Sequence, residues 1–251
     1  MKFLKISELP NYSILTLNNP ESLNAISTQM ISELYDFFSK KLSESIRFVV
    51  ITGEGKCFGA GADLKEMQKM NEKEALEISQ KLQKTFDLIK NYPVPVIASV
   101  HGFAIGGAFE LALACDMIFS TKDSYFLLPE LKFDMIPGGG GTVRLTKKTG
   151  YQKAFWQILT AQRIDVQEAF SIGIVQKVLN ANNYLSETIE ILEKHIIPIE
   201  KEAVSALKKT LVSVEVSNNS AYQTESKNFS YLLNKYAKHK IGEYLNSKKN
   251  G

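Results

Sequence analysis

Two glutamates twenty positions apart are the candidate acid and base groups of this 251-residue chain. Glu110 lies in a run of small and apolar residues, 101–114, and Glu130 follows Pro129 shortly before four consecutive glycines at Gly138–Gly141. Two carboxylates that converge on one pocket can hold a water molecule and divide the acid and base roles between them. This arrangement of residues predicts general acid–base chemistry, provided that the fold brings the two side chains together.

Glu110 is predicted to lie buried on a helix that begins near Gly107 and ends at Ala114. No residue three or four positions away from it is polar: these neighbours are Gly106, Gly107, Leu113 and Ala114. A surface helix would place more than one charge on its exposed face. Because burial disfavours the charged form, it raises the pKa of a carboxyl and prepares it for chemistry near neutral pH. A structural glutamate is the alternative, and Glu130 taken alone is typical of a solvated strand end.

A segment rich in small residues, Gly53–Met67, could supply backbone donors to a ligand. Asp63 and Glu66 within it have the spacing of a capping box, so we interpret Asp63 as a helix cap and not as a catalytic base. The N–H of Ala62 would then be exposed at the edge of a turn. The N–H of Gly107 would stand at the start of a helix, whose dipole favours negative charge. Two such donors can form an oxyanion hole.

Together these segments resemble the enoyl-CoA hydratase/isomerase (crotonase) family. The matching pieces occur in the family's order and extend over roughly residues 3–180: Leu17–Ala25, Ala60–Met67, Gly102–Glu110 and Pro129–Thr142. The set is far more specific than any one piece. It implies an α/β fold, namely a crotonase-like spiral of ββα units that forms the core and active site over residues 1–183. A helical oligomerisation region over residues 184–251 would follow.

The resemblance implies a role for particular residues. Glu110 and Glu130 match the two catalytic glutamates of the hydratases, and Gly138 matches a glycine near the catalytic water. Ala62 and Gly107 match the two backbone donors that polarise the thioester carbonyl. The substrate-binding wall, which contacts CoA, is implied to comprise Ala25, Ala62, Asp63, Leu64, Lys65 and Gly107.

The activity implied by the resemblance is that of an enoyl-CoA hydratase, a lyase of fatty acid β-oxidation. Water would add reversibly to a 2-trans-enoyl-CoA and give a 3-hydroxyacyl-CoA, with Glu110 activating the water and Glu130 delivering a proton to Cα. Donors at the thioester oxygen would stabilise the enolate-like charge that develops. CoA is part of the substrate, so no separate cofactor is expected.

Two alternatives remain open at this stage. The first is a Δ3,Δ2-enoyl-CoA isomerase, in which Glu130 shuttles one proton and Glu110 has no assigned role. The second is a CoA- or RNA-binding member of the family without hydratase activity. The net charge of +3 gives weak support to RNA binding, but no basic recognition motif is visible, so nucleic acid is not an expected partner.

Hydrophobic periodicity alone predicts an α/β chain in which strands and helices alternate. The predicted strands are Tyr12–Leu17, Arg47–Ile51, Val94–Val100, Met117–Ser120 and Val175–Leu179. The predicted helices include Thr28–Leu42, Glu72–Lys90, Gly107–Ala114 and Thr142–Lys148. After about residue 183 only helices are expected, at Ile189–Ile197, Ala203–Val212 and Ala221–Leu245.

The family resemblance also implies how the chain assembles, because this helical tail packs against neighbouring subunits in trimers or in dimers of trimers. Ile241, Tyr244 and Leu245 are therefore expected at a subunit interface and not in the chain's own core. Lys248 or Lys249 could reach a CoA phosphate, although a solvated basic end is the simpler interpretation. The sequence departs from the family pattern in three ways: Asp134 replaces a frequent glycine, Ala108 replaces another, and Lys238–Lys240 replace an acidic-glycine pattern.

Composition is that of an ordinary globular protein, with 44% hydrophobic and 23% charged residues. No apolar run reaches membrane-spanning length and the first residues are predicted to form a strand, so we expect a cytoplasmic protein without a membrane partner. Cys57 and Cys115 are predicted to be reduced packing residues. The three histidines are far apart and no spacing suits zinc, so no metal site is expected, and His101 is interpreted as structural.

Overall fold

The structure, a computed structural model, describes residues 1–215 and 219–247, with side chains for all of these except 213–215 and 219–225. Lys248 and Lys249, the suggested contacts to a CoA phosphate, lie outside the described residues. Within the described ranges the chain forms nine strands: β1 (Leu4–Glu8), β2 (Tyr12–Leu17), β3 (Phe48–Gly53), β4 (Val96–Val100), β5 (Phe103–Ile105), β6 (Met117–Thr121), β7 (Tyr125–Leu127), β8 (Ile164–Asp165) and β9 (Lys177–Leu179).

The same ranges contain eleven α-helices: α1 (Thr28–Phe38), α2 (Leu64–Lys69), α3 (Glu72–Lys90), α4 (Gly107–Ala114), α5 (Gly141–Thr149), α6 (Tyr151–Thr160), α7 (Val166–Ser171), α8 (Tyr184–Ile196), α9 (Lys201–Glu215), α10 (Asn219–Leu232) and α11 (Lys238–Ser247). Short 3-10 helices occur at Pro20–Ser22 and Glu130–Phe133, and a π-helical turn at Leu233–Ala237 joins α10 to α11.

Most predicted elements are present, and β2, α3 and α4 have the predicted bounds. The helix predicted at Thr28–Leu42 is shorter, because it ends at Phe38 with Ser39 as its C-cap. Leu42 contributed to the apolar pattern, but it packs against the main core from the loop that follows. The prediction of a continuous helix was wrong because a half-buried loop residue, Leu42, continued the helical spacing by chance.

The larger sheet has six strands in the order β1-β2-β3-β4-β6-β9. The pair β1 and β2 is antiparallel, and every other pair is parallel. All residues of β3 and β4 are buried, as expected for parallel strands that are covered on both faces. One face packs against α8 through Ile189, Leu192 and Ile196, and the other faces a core shared with α1, α3 and α4.

The smaller sheet contains β5, β7 and β8, and a bridge between Gly59 and Ala104 extends it. The chain therefore repeats one pattern three times. A strand of the large sheet leads into a short strand or bridge of the small sheet and then into a helix. The three units are β3–Gly59–α2, β4–β5–α4 and β6–β7 with the 3-10 helix at Glu130–Phe133. These units match the predicted ββα pattern, and the strands end before residue 183 in the part of the chain that the structure describes.

The three residues predicted to have packing roles are buried or half-buried. Cys57 and Cys115 are free thiols and both are fully buried, and burial raises the pKa of the Cys57 thiol to about 11. The Nε2 atom of His101 lies 3.0 Å from the Gly55 carbonyl oxygen, and its ring stacks on Tyr184. The structure therefore confirms a packing role for all three side chains.

The C-terminal helices fold back over α2 and α3 of the same chain. Ile241 is fully buried in a cluster with Met67, Ala75 and Met135, and Leu245 packs against this cluster. The expectation that Ile241 belongs to a subunit interface was wrong, because the π-helical turn directs α11 onto the chain's own α2. The predicted role of residues 184–251 in trimer packing stays a prediction.

A buried ion pair anchors α9 to the sheet. Lys208 is 7% exposed, and its ammonium donates to Asp116 Oδ2 at 2.7 Å and to the Val94 carbonyl at 2.9 Å. Asp116 Oδ2 also accepts the N–H of Val96 at 2.8 Å, at the first residue of β4. The Lys208–Asp116 pair therefore joins α9 to the first residue of β4 and to the residue that precedes β6.

We predict that Lys208→Ala lowers the free energy of unfolding by about 3–5 kcal/mol, because it leaves a partly buried carboxylate without its cation. Urea denaturation followed by circular dichroism measures the change. Lys209→Ala is the matched control, since Lys209 is exposed on the same helix. Equal midpoints for the two variants would show that the ion pair does not anchor α9.

Candidate active site

Both predicted glutamates line one cavity of about 400 Å³. The cavity lies among α2, α3, α4, the glycine loop at 137–141 and the C-terminal helices. Four other predicted positions also line it: Ala62, Leu64, Gly107 and Gly138. The fold thus brings together residues that are more than seventy positions apart in the sequence.

Glu110 lies in the first turn of α4 and is 3% exposed. Its Oε1 atom accepts the N–H of Gly139 at 2.8 Å and the N–H of Gly141 at 2.7 Å. Burial raises the pKa of this carboxyl, while the two N–H groups and the nearby Arg144 guanidinium act in the opposite direction; the net shift is upward. Glu110 is therefore a buried carboxyl with a raised pKa, as predicted.

The backbone of Gly138–Gly141 can approach Glu110 closely because these four residues have no side chains. A Cβ added at Gly141 would lie 2.9 Å from both Cγ and Oε1 of Glu110, and one at Gly139 would lie 3.0 Å from Oε2. Gly140 has a φ of 99°, which places it in the left-handed region that glycine adopts readily. The four consecutive glycines thus form a turn into α5 that wraps the carboxylate.

Glu130 begins the 3-10 helix and is 9% exposed. This low exposure corrects the reading of Glu130 alone as a solvated strand end. Its Oε1 atom lies beside the N-terminus of α4, because a Cβ added at Gly106 would come within 3.1 Å of it. The 3-10 helix ends at Phe133, and its C-cap Asp134 adopts a φ of 54° in the left-handed region and forms an ion pair with Lys240. Asp134 thus occupies a conformation that suits the glycine often found there, and aspartate tolerates it better than most residues.

Ala62 and Gly107 place two backbone N–H groups next to each other. Gly61 and Asp63 bond to Ile26 through their carbonyl and N–H groups respectively, so the N–H of Ala62 points away from Ile26. Gly107 is the first residue of α4, and such N–H groups have no acceptor within the helix. A Cβ at Gly107 would lie 3.7 Å from the Ala62 nitrogen, which shows how closely the two backbones approach. This geometry is suited to binding an oxyanion.

Asp63 caps α2, as predicted, because its carboxylate accepts the N–H groups of Lys65 at 2.9 Å and Glu66 at 3.2 Å. The reciprocal half of a capping box is replaced, since Glu66 accepts the N–H and the hydroxyl of Thr28, each at 2.8 Å. Of the predicted CoA wall, Ala62, Leu64 and Gly107 line the cavity. The other three predicted wall residues, Ala25, Asp63 and Lys65, are not among the described residues that line the cavity.

Several cavity residues were missed by sequence reasoning. Phe229 of α10 and Tyr244 of α11 both line the cavity, although the C-terminal helices were expected to serve subunit contacts. The sequence does contain a pattern that could have identified Phe229. Apolar residues recur every four positions along these helices, at Phe229, Leu233, Ala237 and Ile241, and this spacing predicts a buried helix face. The structure packs this face on α2 and α3 of the same chain.

Neither a metal cluster nor a membrane helix occurs in the part of the chain that the structure describes. No group of three or more His, Cys, Asp or Glu side chains is placed to hold a metal ion there. No helix in the described ranges is both long and apolar enough to cross a bilayer.

The sequence model of the enoyl-CoA hydratase/isomerase family matches residues 11–250. The chain therefore belongs to the enoyl-CoA hydratase/isomerase family, and its fold is the crotonase fold that the motifs predicted. The segments that carried the resemblance all contribute to the site described above, and α3, α10 and α11 complete its lining.

Relatives and solved structures are consistent with this assignment. The chain is 42% identical over 168 residues to the putative enoyl-CoA hydratase/isomerase YngF of Bacillus subtilis, a match that covers 66% of this chain and 65% of that protein. It is 36% identical to the mitochondrial enoyl-CoA hydratase of Pongo abelii, covering 80% of this chain and 68% of the relative. The crystal structure of an enoyl-CoA hydratase from Bacillus anthracis superposes with a TM-score of 0.81 at 31% identity, covering 91% of this chain and 89% of the other.

The raised pKa of Glu110 predicts a particular dependence of stability on pH. When the folded-state pKa of a carboxyl lies above its unfolded value, the stability it contributes is fully present below the unfolded pKa and is lost as pH rises through the folded pKa. Glu110→Gln should therefore be at least as stable as the wild type at pH 7, with the difference shrinking toward pH 4. Urea denaturation across this pH range measures it.

Glu33 is a control with the opposite sign. Burial raises its pKa, but hydrogen bonds from Gln29 and from the N–H groups of residues 2–4 outweigh burial and lower the pKa overall. Its stability contribution is present above the unfolded pKa and is lost as pH falls through the folded pKa. Glu33→Gln should thus lose about 1–3 kcal/mol at pH 7. A Glu110→Gln variant that is destabilised in the same way would contradict the prediction for Glu110.

Proposed function

We propose that this protein is an enoyl-CoA hydratase that adds water reversibly to a 2-trans-enoyl-CoA and gives a 3-hydroxyacyl-CoA. The observation that carries the proposal is the convergence of Glu110 and Glu130 on one cavity beside the paired N–H groups of Ala62 and Gly107. Membership of the family and the names of the relatives support the acyl-CoA thioester as substrate.

In this mechanism the thioester oxygen lies between the N–H groups of Ala62 and Gly107. Addition of water at Cβ moves charge onto that oxygen, and donors aimed at it lower the barrier; losing one such donor typically costs about 2.7–4 kcal/mol. The donors are backbone groups fixed by the Ile26 bridge and by α4, so they need no rearrangement during the reaction.

Glu110 acts as the base toward the water in this proposal. Its Oε1 atom is used by the two glycine N–H groups, so Oε2 is the oxygen proposed to take the proton. The upward shift of its pKa makes this carboxylate a stronger base than an exposed glutamate. Glu130 supplies the proton to Cα. Glu110 and Glu130 together carry the acid and base roles, because both line the one cavity.

The proposal is tested with crotonyl-CoA, a four-carbon 2-enoyl thioester, by the loss of its conjugated absorbance. Glu110→Gln and Glu130→Gln should each lower kcat by about a hundredfold or more, because each removes one proton-transfer group. Glu77→Gln is the control, since Glu77 is exposed on α3 and lies outside the cavity. If a 3-enoyl-CoA is isomerised and only Glu130→Gln abolishes that activity, the protein is an isomerase. If the wild type binds CoA esters without turnover, it is a binding member of the family.

We further propose a short acyl chain as the substrate. Phe229 closes the cavity at Gly138, where a Cβ would lie only 2.7–3.0 Å from its ring atoms. The phenyl ring is 6% exposed and packs in the cluster with Met67 and Met135, which also line the cavity together with Leu82. A longer acyl chain would have to displace this buried ring.

Shortening Phe229 should therefore shift the preference for chain length. We predict that Phe229→Leu and Phe229→Ala raise kcat/KM for 2-octenoyl-CoA relative to crotonyl-CoA by about tenfold or more, in line with the worth of methylenes in an apolar pocket. The milder leucine variant guards against a loss of folding. Tyr231→Ala is the control, because Tyr231 is exposed on the same helix. An unchanged ratio in both Phe229 variants would place the end of the acyl site elsewhere.

The proposed assembly is a homotrimer or a dimer of trimers in the cytoplasm. Support comes from α6, which exposes several large apolar side chains: Tyr151, Phe155, Trp156 and Leu159. A contiguous apolar patch of this kind commonly marks a protein contact.

A further inference from the structure

One peptide group of the glycine loop is held at both of its ends. The N–H of Gly139 donates to Glu110 Oε1 at 2.8 Å. The carbonyl of the same peptide belongs to Gly138 and accepts two hydrogen bonds, from the Ser79 hydroxyl at 2.6 Å and from Gln83 Nε2 at 3.0 Å. Because the N–H and C=O of a trans peptide point in opposite directions, fixing the carbonyl directs the N–H at the carboxylate.

The donors to this carbonyl lie on one face of α3. Ser79 and Gln83 are four residues apart, so their side chains project from consecutive turns on the same side of the helix. Asp87 continues the spacing and accepts Arg144 Nη2 at 2.8 Å, while Arg144 Nη1 donates to the Gly139 carbonyl at 2.7 Å. This polar stripe of α3, Ser79–Gln83–Asp87, thus holds two successive carbonyls of the loop, one directly and one through Arg144.

The hydrogen bonds from Ser79 and Gln83 to the loop matter energetically because both side chains are buried. Ser79 is fully buried and Gln83 is 7% exposed. The Ser79 Oγ atom also lies 3.2 Å from Oγ of Ser226, a buried residue of α10. Buried polar groups are costly unless they are hydrogen-bonded, and an apolar residue would suit this position between α3 and α10 better on packing grounds alone. The loop carbonyl is the partner that the two side chains share.

We propose that Ser79 and Gln83 are positioning residues, which hold the Gly138–Gly139 peptide so that Glu110 keeps its orientation and its second N–H donor. This proposal rests on the proposed function, in which Glu110 acts on the water. Without the two donors the Gly138 carbonyl no longer fixes the orientation of the peptide, so the N–H of Gly139 turns away from Oε1 and the carboxylate keeps the N–H of Gly141.

The electrostatic consequence has a definite sign. The charged groups that face Glu110 are Arg144 of α5, its partner Asp87 of α3, and across the cavity Glu130 and Lys132 of the 3-10 helix. None of these changes when the carbonyl loses its donors. The loss of an N–H from the ionised carboxylate disfavours the charged form, so the pKa of Glu110 rises further. The acid limb of the pH–rate profile moves to higher pH.

The test is a double-mutant cycle of Ser79→Ala and Gln83→Leu. Each single variant removes one of the two side-chain donors described above from the Gly138 carbonyl, and the double variant removes both, so the double loss should exceed the product of the single losses. We expect kcat for crotonyl-CoA to fall about tenfold or more in the double variant, less than removal of the base itself, with KM little changed. The acid limb should move to higher pH in the double variant.

Thr85→Val is the matched control. Thr85 is fully buried on α3, and its hydroxyl donates to the Lys81 carbonyl within the helix, away from the glycine loop. It should lose stability without moving the pH profile. A folded double variant with the kcat and acid limb of the wild type overturns the proposal. So does a loss of kcat with an unmoved acid limb, which is the behaviour of a residue that only supports packing.

A second readout separates this proposal from the proposed function. NMR titration of glutamate labelled with 13C at the carboxyl, with Glu110→Gln for assignment, reports the pKa of Glu110 without any turnover. If the wild type does not hydrate crotonyl-CoA, the proposed function fails, while an upward shift of the Glu110 titration in the double variant still supports the positioning role. An unchanged titration contradicts that role whatever the activity.

Discussion

The structure around the cavity depends on the pair of hydrogen bonds from Gly139 and Gly141 to Glu110. An ionisable group in the first turn of an otherwise apolar helix requires polar partners, and here the backbone supplies them. Backbone donors can approach this closely only where Cβ atoms are absent, which accounts for the glycine run. The loop must itself be held, and this requirement explains buried polar side chains on α3 that packing alone would not call for. One carboxylate thus constrains α3, α4 and α5 together.

The repeated ββα unit explains how distant parts of the chain reach this carboxylate. In each unit the chain leaves the large sheet, adds a short strand or bridge to the small sheet and enters a helix. The pairing of Gly59 with Ala104 aligns the first and second units, so Ala62 and Gly107 come side by side at the starts of α2 and α4. The strand β7 follows β5 in parallel and delivers Glu130 to the same end of α4. The small sheet therefore sets the geometry of the site.

Sequence reasoning reached the parts of this arrangement that are encoded locally. The burial of Glu110 follows from its apolar neighbours, and the cap at Asp63 follows from spacing, because each depends on residues within one turn of helix. The burial of Glu130 could not be predicted in this way, because it depends on the nearby α4. The pairing of β5 with β7 in the small sheet brings α4 and Glu130 together. The contacts of Ser79 and Gln83 with the glycine loop could not be predicted either, because hydroxyl and amide side chains on a charged helix are ordinarily solvated. Motif resemblance supplied the link between the two glutamates, which periodicity cannot give.

The position of α10 and α11 in the sequence determines when the cavity can form during synthesis. Phe229 and Tyr244 form part of the cavity wall, whereas the sheets and both glutamates lie far earlier in the sequence. Proteins emerge from the ribosome N-terminus first, and early regions can begin to fold before later ones exist. A nascent chain that has completed its sheets would present the carboxylates in a trough open to water. The enclosed cavity exists only once α10 and α11 have been made, so the cavity closes after both sheets and both glutamates have been synthesised.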